Sequence, residues 1–139
     1  FGTDHCPGYA SAAKYIATSA MEVARDSRVY NIGQITIIEC MGRHAGWLTA
    51  AAALANTKEP CVDFIYLPEV DFDMDKFIAD VTACYKKNGN CIVAVSEGIH
   101  YADGRFVSEA SAMPSWAVWL RCWPMSARKR PARRFAASS

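Results

Sequence analysis

The sequence predicts an α/β fold: a parallel sheet with crossover helices. Three observations carry that prediction. Apolar, β-branched runs alternate with helix-period segments in the order α-β-α-β-α-β. Turn-forming residues close each strand-like run, which suits short strand-to-helix connections. The chain has 139 residues, 52% of them apolar, enough for one domain with a core of ordinary size.

The elements follow in order. Residues 10–25 are rich in helix formers, and Ala13, Ile16, Ala17, Ala20, Val23 and Ala24 recur at three- and four-residue steps, so they predict an amphipathic helix. Arg25-Asp26-Ser27-Arg28 is expected to end it. Ile35–Cys40 is mostly apolar and β-branched, as in a strand buried on both faces. Met41-Gly42-Arg43-His44-Ala45-Gly46 turns the chain into a second predicted helix, 47–56. A second strand is expected over 62–67, stopped by Pro68. Asp73 is placed to cap a third helix, 74–87, with Phe77, Ile78, Val81 and Tyr85 on its apolar side. Asn88-Gly89-Asn90 turns the chain into a third strand, 91–95, and Ser96-Glu97-Gly98 leaves it.

No run reaches the roughly 18 apolar residues that a membrane span requires, and residues 1–9 do not read as a signal peptide. The six cysteines (Cys6, Cys40, Cys61, Cys84, Cys91, Cys122) lie far apart without a CxxC pair. They read as reduced, mostly buried thiols of a cytoplasmic protein. The net charge of +1 hides a split. Residues 1–112 carry nine Lys/Arg against fourteen Asp/Glu, whereas 113–139 carry six Lys/Arg, no acid, and Trp116, Trp119 and Trp123.

Ligands of open α/β sheets collect beyond the carboxyl ends of the strands. Three segments fall there: Met41-Gly42-Arg43, Pro68-Glu69 and Ser96-Glu97-Gly98. Glycines let the backbone approach a ligand, and an arginine can grip phosphate through two parallel hydrogen bonds. Arg43 is therefore a candidate phosphate ligand and Glu97 a candidate acceptor for hydroxyls. The alternative is that the glycines serve the turn and Arg43 pairs with a surface acid. Glu69 reads as a turn residue or a third site group. His44 could orient a ligand or cap the second helix. Thr3 or Asp4 is placed to open the first helix, next to His5, Cys6 and Pro7. His100 reads as a loop residue. No His/Cys/Asp spacing suggests a metal cage, and Ser96 has no base near it in sequence.

With these residues in hand, the chain resembles the phosphofructokinases. The resemblance rests on Gly2-Thr3-Asp4-His5 with Pro7-Gly8-Tyr9, on Glu39-Cys40-Met41-Gly42-Arg43-His44-Ala45-Gly46-Trp47, and on Val93-Ala94-Val95-Ser96-Glu97-Gly98. Leu67-Pro68-Glu69 supports them, and the likeness covers residues 1–112. It implies phosphoryl transfer from ATP or inorganic pyrophosphate to the 1-hydroxyl of fructose 6-phosphate, with Mg²⁺ bridging donor oxygens. It implies that Met41, Gly42 and Arg43 hold the sugar phosphate and that Glu97 binds fructose hydroxyls. The Gly46-Trp47 and Asp4-His5 pairs look more like the pyrophosphate-type or mixed-donor branch. An intact enzyme of this kind is expected to be a cytoplasmic homo-oligomer whose sites are completed by neighbouring subunits.

The departures are equally informative. The family's catalytic aspartates lie in a Thr-Ile-Asp-Asn-Asp-like segment expected upstream of Phe1, so no catalytic residue is assigned here. The loops that hold the donor phosphates and the metal are not in this sequence either. Gln34 stands where bacterial ATP enzymes carry a second phosphate-binding arginine. The chain alone is expected to be inactive.

Residues 113–139 do not resemble the family. Read one nucleotide out of frame, with permitted codons, they can encode an Ala/Leu-rich helix and a strand start similar to the family's continuation. They are expected to be a frame-shifted, poorly packed tail. The alternative is a non-catalytic sugar-phosphate or nucleic-acid binding module with a basic tail, Arg128-Lys129-Arg130-Pro131-Ala132-Arg133-Arg134.

Overall fold

A computed structural model of the chain describes residues 8–30, 33–57 and 59–109. The expected tail, 113–139, and the segment Thr3 to Pro7 lie outside the described residues.

The first helix, α1 (Tyr9–Val29), buries Ala13, Ala17, Ala20, Ala24 and Ser27. These positions line one face of a 3.6-residue period, and their small side chains allow another element to come close. That element is the Ala-rich segment of Ala52 and Ala55, which joins Ala20 and Ala24 in one buried cluster. The helix runs four residues past the expected Arg25. The Ser27 hydroxyl donates to the Ala24 carbonyl inside the core, while Arg25 and Arg28 both reach Glu59, at 3.2 and 3.1 Å. The hydrogen bond from Arg25, seconded by Arg28, holds the Glu59 carboxyl below its ordinary pKa. Such ties join the helix end to a distant loop, which a local reading does not contain.

Three parallel strands follow: β1 (Ile35–Cys40), β2 (Phe64–Tyr66) and β3 (Cys91–Ser96), in the spatial order β1-β3-β2. The α/β class and the parallel pairing are as the sequence implies. The burial of β1 is not. Ile35 to Ile38 are half-buried and Glu39 is exposed, because among the described residues β1 pairs only with β3. The doubly covered strand is the central one, β3, all six of whose residues are buried. Its side chains alternate as the pleat requires. Cys91, Val93 and Val95 join Phe72, Phe77, Val81 and Ile99 on the face toward the third helix. Ile92 and Ala94 join the alanine cluster on the face toward α1.

Two further expectations are corrected. The segment 47–56 is not one α-helix. It is a single α-turn, α2 (Trp47–Ala50), continued by a 3₁₀ helix, Ala51–Thr57. The Thr57 hydroxyl donates to the Leu54 carbonyl three residues back, and Asn56 then pins the chain. Its carboxamide oxygen accepts from Cys61 N and Val62 N, both at 2.8 Å, and its nitrogen donates to the Val62 carbonyl. That hub also explains why β2 is shorter than 62–67. Cys61 and Val62 are held by a side chain instead of a strand.

The third helix, α3 (Met74–Asn88), matches its sequence signals closely. Asp73 accepts from Asp75 N at 2.9 Å and Lys76 N at 3.2 Å, and Gly89 leaves the helix in the left-handed region at φ 79°. Asp73→Ala removes the acceptor for two otherwise unpaired helix N–H groups. It is expected to lower stability by about 1 kcal/mol, read as a lower urea midpoint with unchanged slope.

Candidate functional site: a glycine turn and two carboxylates at the strand ends

The carboxyl ends of β1 and β3 lie side by side, with Cys40 registered against Ser96. The two segments that leave them are tied together. The Ser96 hydroxyl donates to the Gly42 carbonyl, Gly42 N donates to Glu97 Oε1 at 3.1 Å, and Glu97 N donates to the Cys40 carbonyl at 3.0 Å. Glycine is required twice here. Gly42 sits at φ 144°, where L side chains are rarely found, and a Cβ on Gly98 would lie 1.9 Å from the Arg43 carbonyl oxygen.

Glu69, beyond β2, closes the other end of the turn. Its Oε1 accepts from Gly46 N at 2.7 Å, immediately before α2. Glu69 thus lies in the turn after β2 and fixes the loop that carries Arg43. His44 does not cap α2, whose N-cap is Gly46 without a side-chain bond. Its ring instead lies 6.3 Å from the Phe106 ring.

Phe106 was not legible as a site residue. After β3 the chain forms a small hairpin: Val107 N donates to the Ile99 carbonyl, Tyr101 N to the Arg105 carbonyl, and His100 pairs antiparallel with Phe106. The return strand brings Phe106 under Arg43, whose guanidinium carbon sits 5.0 Å from the ring centroid. This is cation–π range. Among the described residues no carboxylate lies within ion-pair distance of Arg43. Within those residues, the alternative of a surface ion pair finds no partner. The ring of His100, the expected loop residue, also lies near Phe106, at 6.4 Å, with its Nε2 4.0 Å from Asp71.

Arg43 and Glu97 face a common open cavity of about 350 Å³, which Glu39 and Ser108 also line. Glu39 is the one charged residue of a mostly apolar strand, the sequence signal that could have placed it at the site. Met41 is exposed at the end of β1. The arrangement combines one guanidinium with no ion-pair partner among the described residues, two carboxylates and a hydroxyl, on a glycine turn whose Gly42 and Gly46 N–H groups are held by Glu97 and Glu69. Chemically it suits a ligand with an anionic group at one end and hydroxyls at the other. Mg²⁺ fits it poorly. A guanidinium shares the cavity, and one Glu97 oxygen already accepts from the backbone, so the near-octahedral oxygen set that Mg²⁺ demands is not assembled here.

This is a candidate strand-end site of an α/β sheet, lined from β1, the β1 and β3 exits and the hairpin after β3, with Glu69 beyond β2 fixing the loop. Residues 1–118 match the Phosphofructokinase family, and the chain belongs to that family. It is 43% identical over 111 residues to the pyrophosphate–fructose 6-phosphate 1-phosphotransferase of Halomonas elongata, covering 78% of this chain and 26% of that protein. It is 37% identical over 99 residues to an ATP-dependent 6-phosphofructokinase of Buchnera aphidicola, covering 70% of this chain and 29% of that one. Among solved structures, the pyrophosphate-dependent phosphofructokinase of Marinobacter aquaeolei superposes with a TM-score of 0.73 at 34% identity. That match covers 93% of this chain and 31% of the other. The chain thus spans about a quarter of the length of the curated relatives it matches, a part of a phosphofructokinase domain.

Proposed function

We propose that this chain supplies the sugar-phosphate half of a phosphofructokinase site, in an enzyme that transfers a phosphoryl group from pyrophosphate or ATP to fructose 6-phosphate. The observation that carries the reading is the Arg43 guanidinium, without an ion-pair partner among the described residues, facing Glu97 across one cavity. In this proposal Arg43 and the Met41-Gly42 turn hold the 6-phosphate, with Glu97 taking fructose hydroxyls. The carboxylate's second oxygen is free of Gly42 N and can accept from them. Pyrophosphate is favoured as donor, because relatives named for it, at 43–47% identity, share more of this sequence than those named for ATP, at 37%. Family likeness extends the proposal to Mg²⁺ held by residues outside this sequence, a cytoplasmic setting and a homo-oligomeric intact enzyme. No helix among the described residues is long and apolar enough to cross a membrane. Residues 1–112 are taken as the family portion, although the family match itself runs to residue 118, and 113–139 as a basic tail.

The test is hydrogen exchange on the 139-residue chain with fructose 6-phosphate and, in parallel, unphosphorylated fructose. Saturable protection of amides 42–46 and 97–98 by the phosphate ester alone is expected. No turnover is expected with either donor, since the family's aspartate segment is not in this sequence. Equal protection by both sugars, or none, would overturn the phosphate assignment. Salt-sensitive binding of an oligonucleotide in place of the sugar would favour the basic-tail module instead.

A further inference from the structure

We propose that Asp63, Cys84 and Cys91 form a binding site for a soft divalent cation of the Zn²⁺ class, at the amino-terminal end of the sheet, remote from the sugar-phosphate rim. One ligand atom from each residue lies within 4.8 Å of the other two. They come from three separate segments: the approach to β2, the last turns of α3, and the first residue of β3. Nothing in their sequence spacing announces the grouping. The topology creates it, because the parallel strand β2 begins, and α3 ends, against the start of β3.

The donor set fits the ion. Two thiols and one carboxylate are the soft and borderline ligands that Zn²⁺ takes, and they discriminate against Mg²⁺ and Ca²⁺. Tetrahedral Zn²⁺ with bonds of about 2.3 Å to sulfur and 2.0–2.2 Å to oxygen needs ligand separations of roughly 3.5–4 Å. A contraction of about an ångström from the observed limit closes the shell. The carboxylate is already aimed: Asp63 Oδ2 accepts from Ile92 N at 2.9 Å, while Asp63 N donates to the Ile92 carbonyl at 2.8 Å. Among the described residues no cation pairs with Asp63. Asn88 Nδ2 lies 3.5 Å from Cys84 Sγ, placed to donate to a thiolate as an outer partner does in metal centres.

Cys91 is fully buried and Asp63 is exposed, so the site has a closed inner wall and an open outer side. Water is the fourth ligand from that side. Burial pushes both thiols up, Cys91 the more strongly, so both carry their protons in the metal-free chain. Binding therefore releases two protons to solvent. The dication and its three anionic ligands then leave one net negative charge, facing water through Asp63. A filled site would staple the end of α3 to the central strand.

The test uses the 139-residue chain, reduced with a phosphine, and Co²⁺ as the spectroscopic probe. One equivalent of Co²⁺ is expected to bind, with a thiolate-to-metal absorption and the visible bands of a tetrahedral centre, and to be displaced by Zn²⁺. Asp63→Asn keeps an oxygen for Ile92 N, so it preserves the strand. It is expected to weaken binding by at least about tenfold, the smallest loss typical of removing even an outer partner of a metal. Cys84→Ser is expected to abolish the thiolate absorption. Cys61→Ser, a buried thiol outside the cluster, leaves it intact. Absence of a bound equivalent, or Asp63→Asn binding as tightly as the unaltered chain, would overturn the proposal. Neither outcome touches the sugar-phosphate site, whose residues are all different.

Discussion

Arg43→Ala is expected to weaken binding of fructose 6-phosphate by about a hundredfold, while the fold survives with a stability loss below about 1 kcal/mol. The two effects separate because of what the guanidinium touches. Its one described contact is the face of Phe106, and an exposed cation–π contact contributes roughly 0.5–1 kcal/mol. Toward a phosphate it can make two parallel charge-assisted hydrogen bonds, each worth about 1.5 kcal/mol or more. Together these correspond to about two decades of affinity. Arg43→Lys is expected to recover only part of that, since an ammonium offers a point charge and not a fork. Phe106→Leu tests the platform. It keeps an apolar floor but removes the ring's negative face, and is expected to cost a few-fold in affinity, far less than Arg43→Ala. The comparison is made by titration calorimetry, with urea unfolding of each variant in parallel. Arg43→Ala binding within threefold of the unaltered chain would remove the phosphate role from this residue.

The two proposed sites differ in how much of them a linear reading reaches. Helix α3 was legible at both ends because its signals are local: an aspartate two and three residues before the amides it caps, and a glycine that alone adopts φ 79° cheaply. The end of α1 was not legible, because the ties from Arg25 and Arg28 run to Glu59 more than thirty residues away. Ile35–Cys40 has the composition of a doubly buried strand, but composition does not say which strand is central. The order β1-β3-β2 gives that place to Cys91–Ser96. At the rim, Arg43 and Glu97 could be found because they follow strands directly, as the general rule for open α/β sheets requires. Phe106 and Ser108 reach the same rim only through the return of a hairpin, for which the Asp103-Gly104 turn is the local sequence mark. Asp63, Cys84 and Cys91 are hidden at the opposite end. Their proximity is a property of the crossovers, whereas sequence reading works mainly with spacing along the chain.

Gly98→Ala is expected to abolish sugar-phosphate binding and to destabilise the chain by about 1–3 kcal/mol, the range for forcing extra atoms into a filled position. The added Cβ would lie 1.9 Å from the Arg43 carbonyl oxygen and 2.4 Å from its carbonyl carbon. Those are backbone atoms, so no rotamer change relieves the overlap. Either the Ser96-Glu97-Gly98 turn or the Met41-Gly42-Arg43 turn must move. Both are tied to each other through Ser96, Glu97 and Gly42, so moving one breaks the hydrogen bonds that align Arg43 with Glu97. Gly89→Ala is the matched control. A Cβ there meets nothing within 4 Å, and the cost comes from the backbone alone, at φ 79°. That variant is expected to lose about 1 kcal/mol. It is expected to retain binding, because Gly89 lies at the carboxyl end of α3 beside the start of β3, the end of the sheet away from the rim. Loss of binding in both variants would mean that affinity merely follows stability. Loss in Gly98→Ala alone, at comparable destabilisation, assigns the effect to the contact between the two turns. Arg43 then depends on a glycine more than fifty residues further along the chain, and the rim works only while both strand exits stay in register.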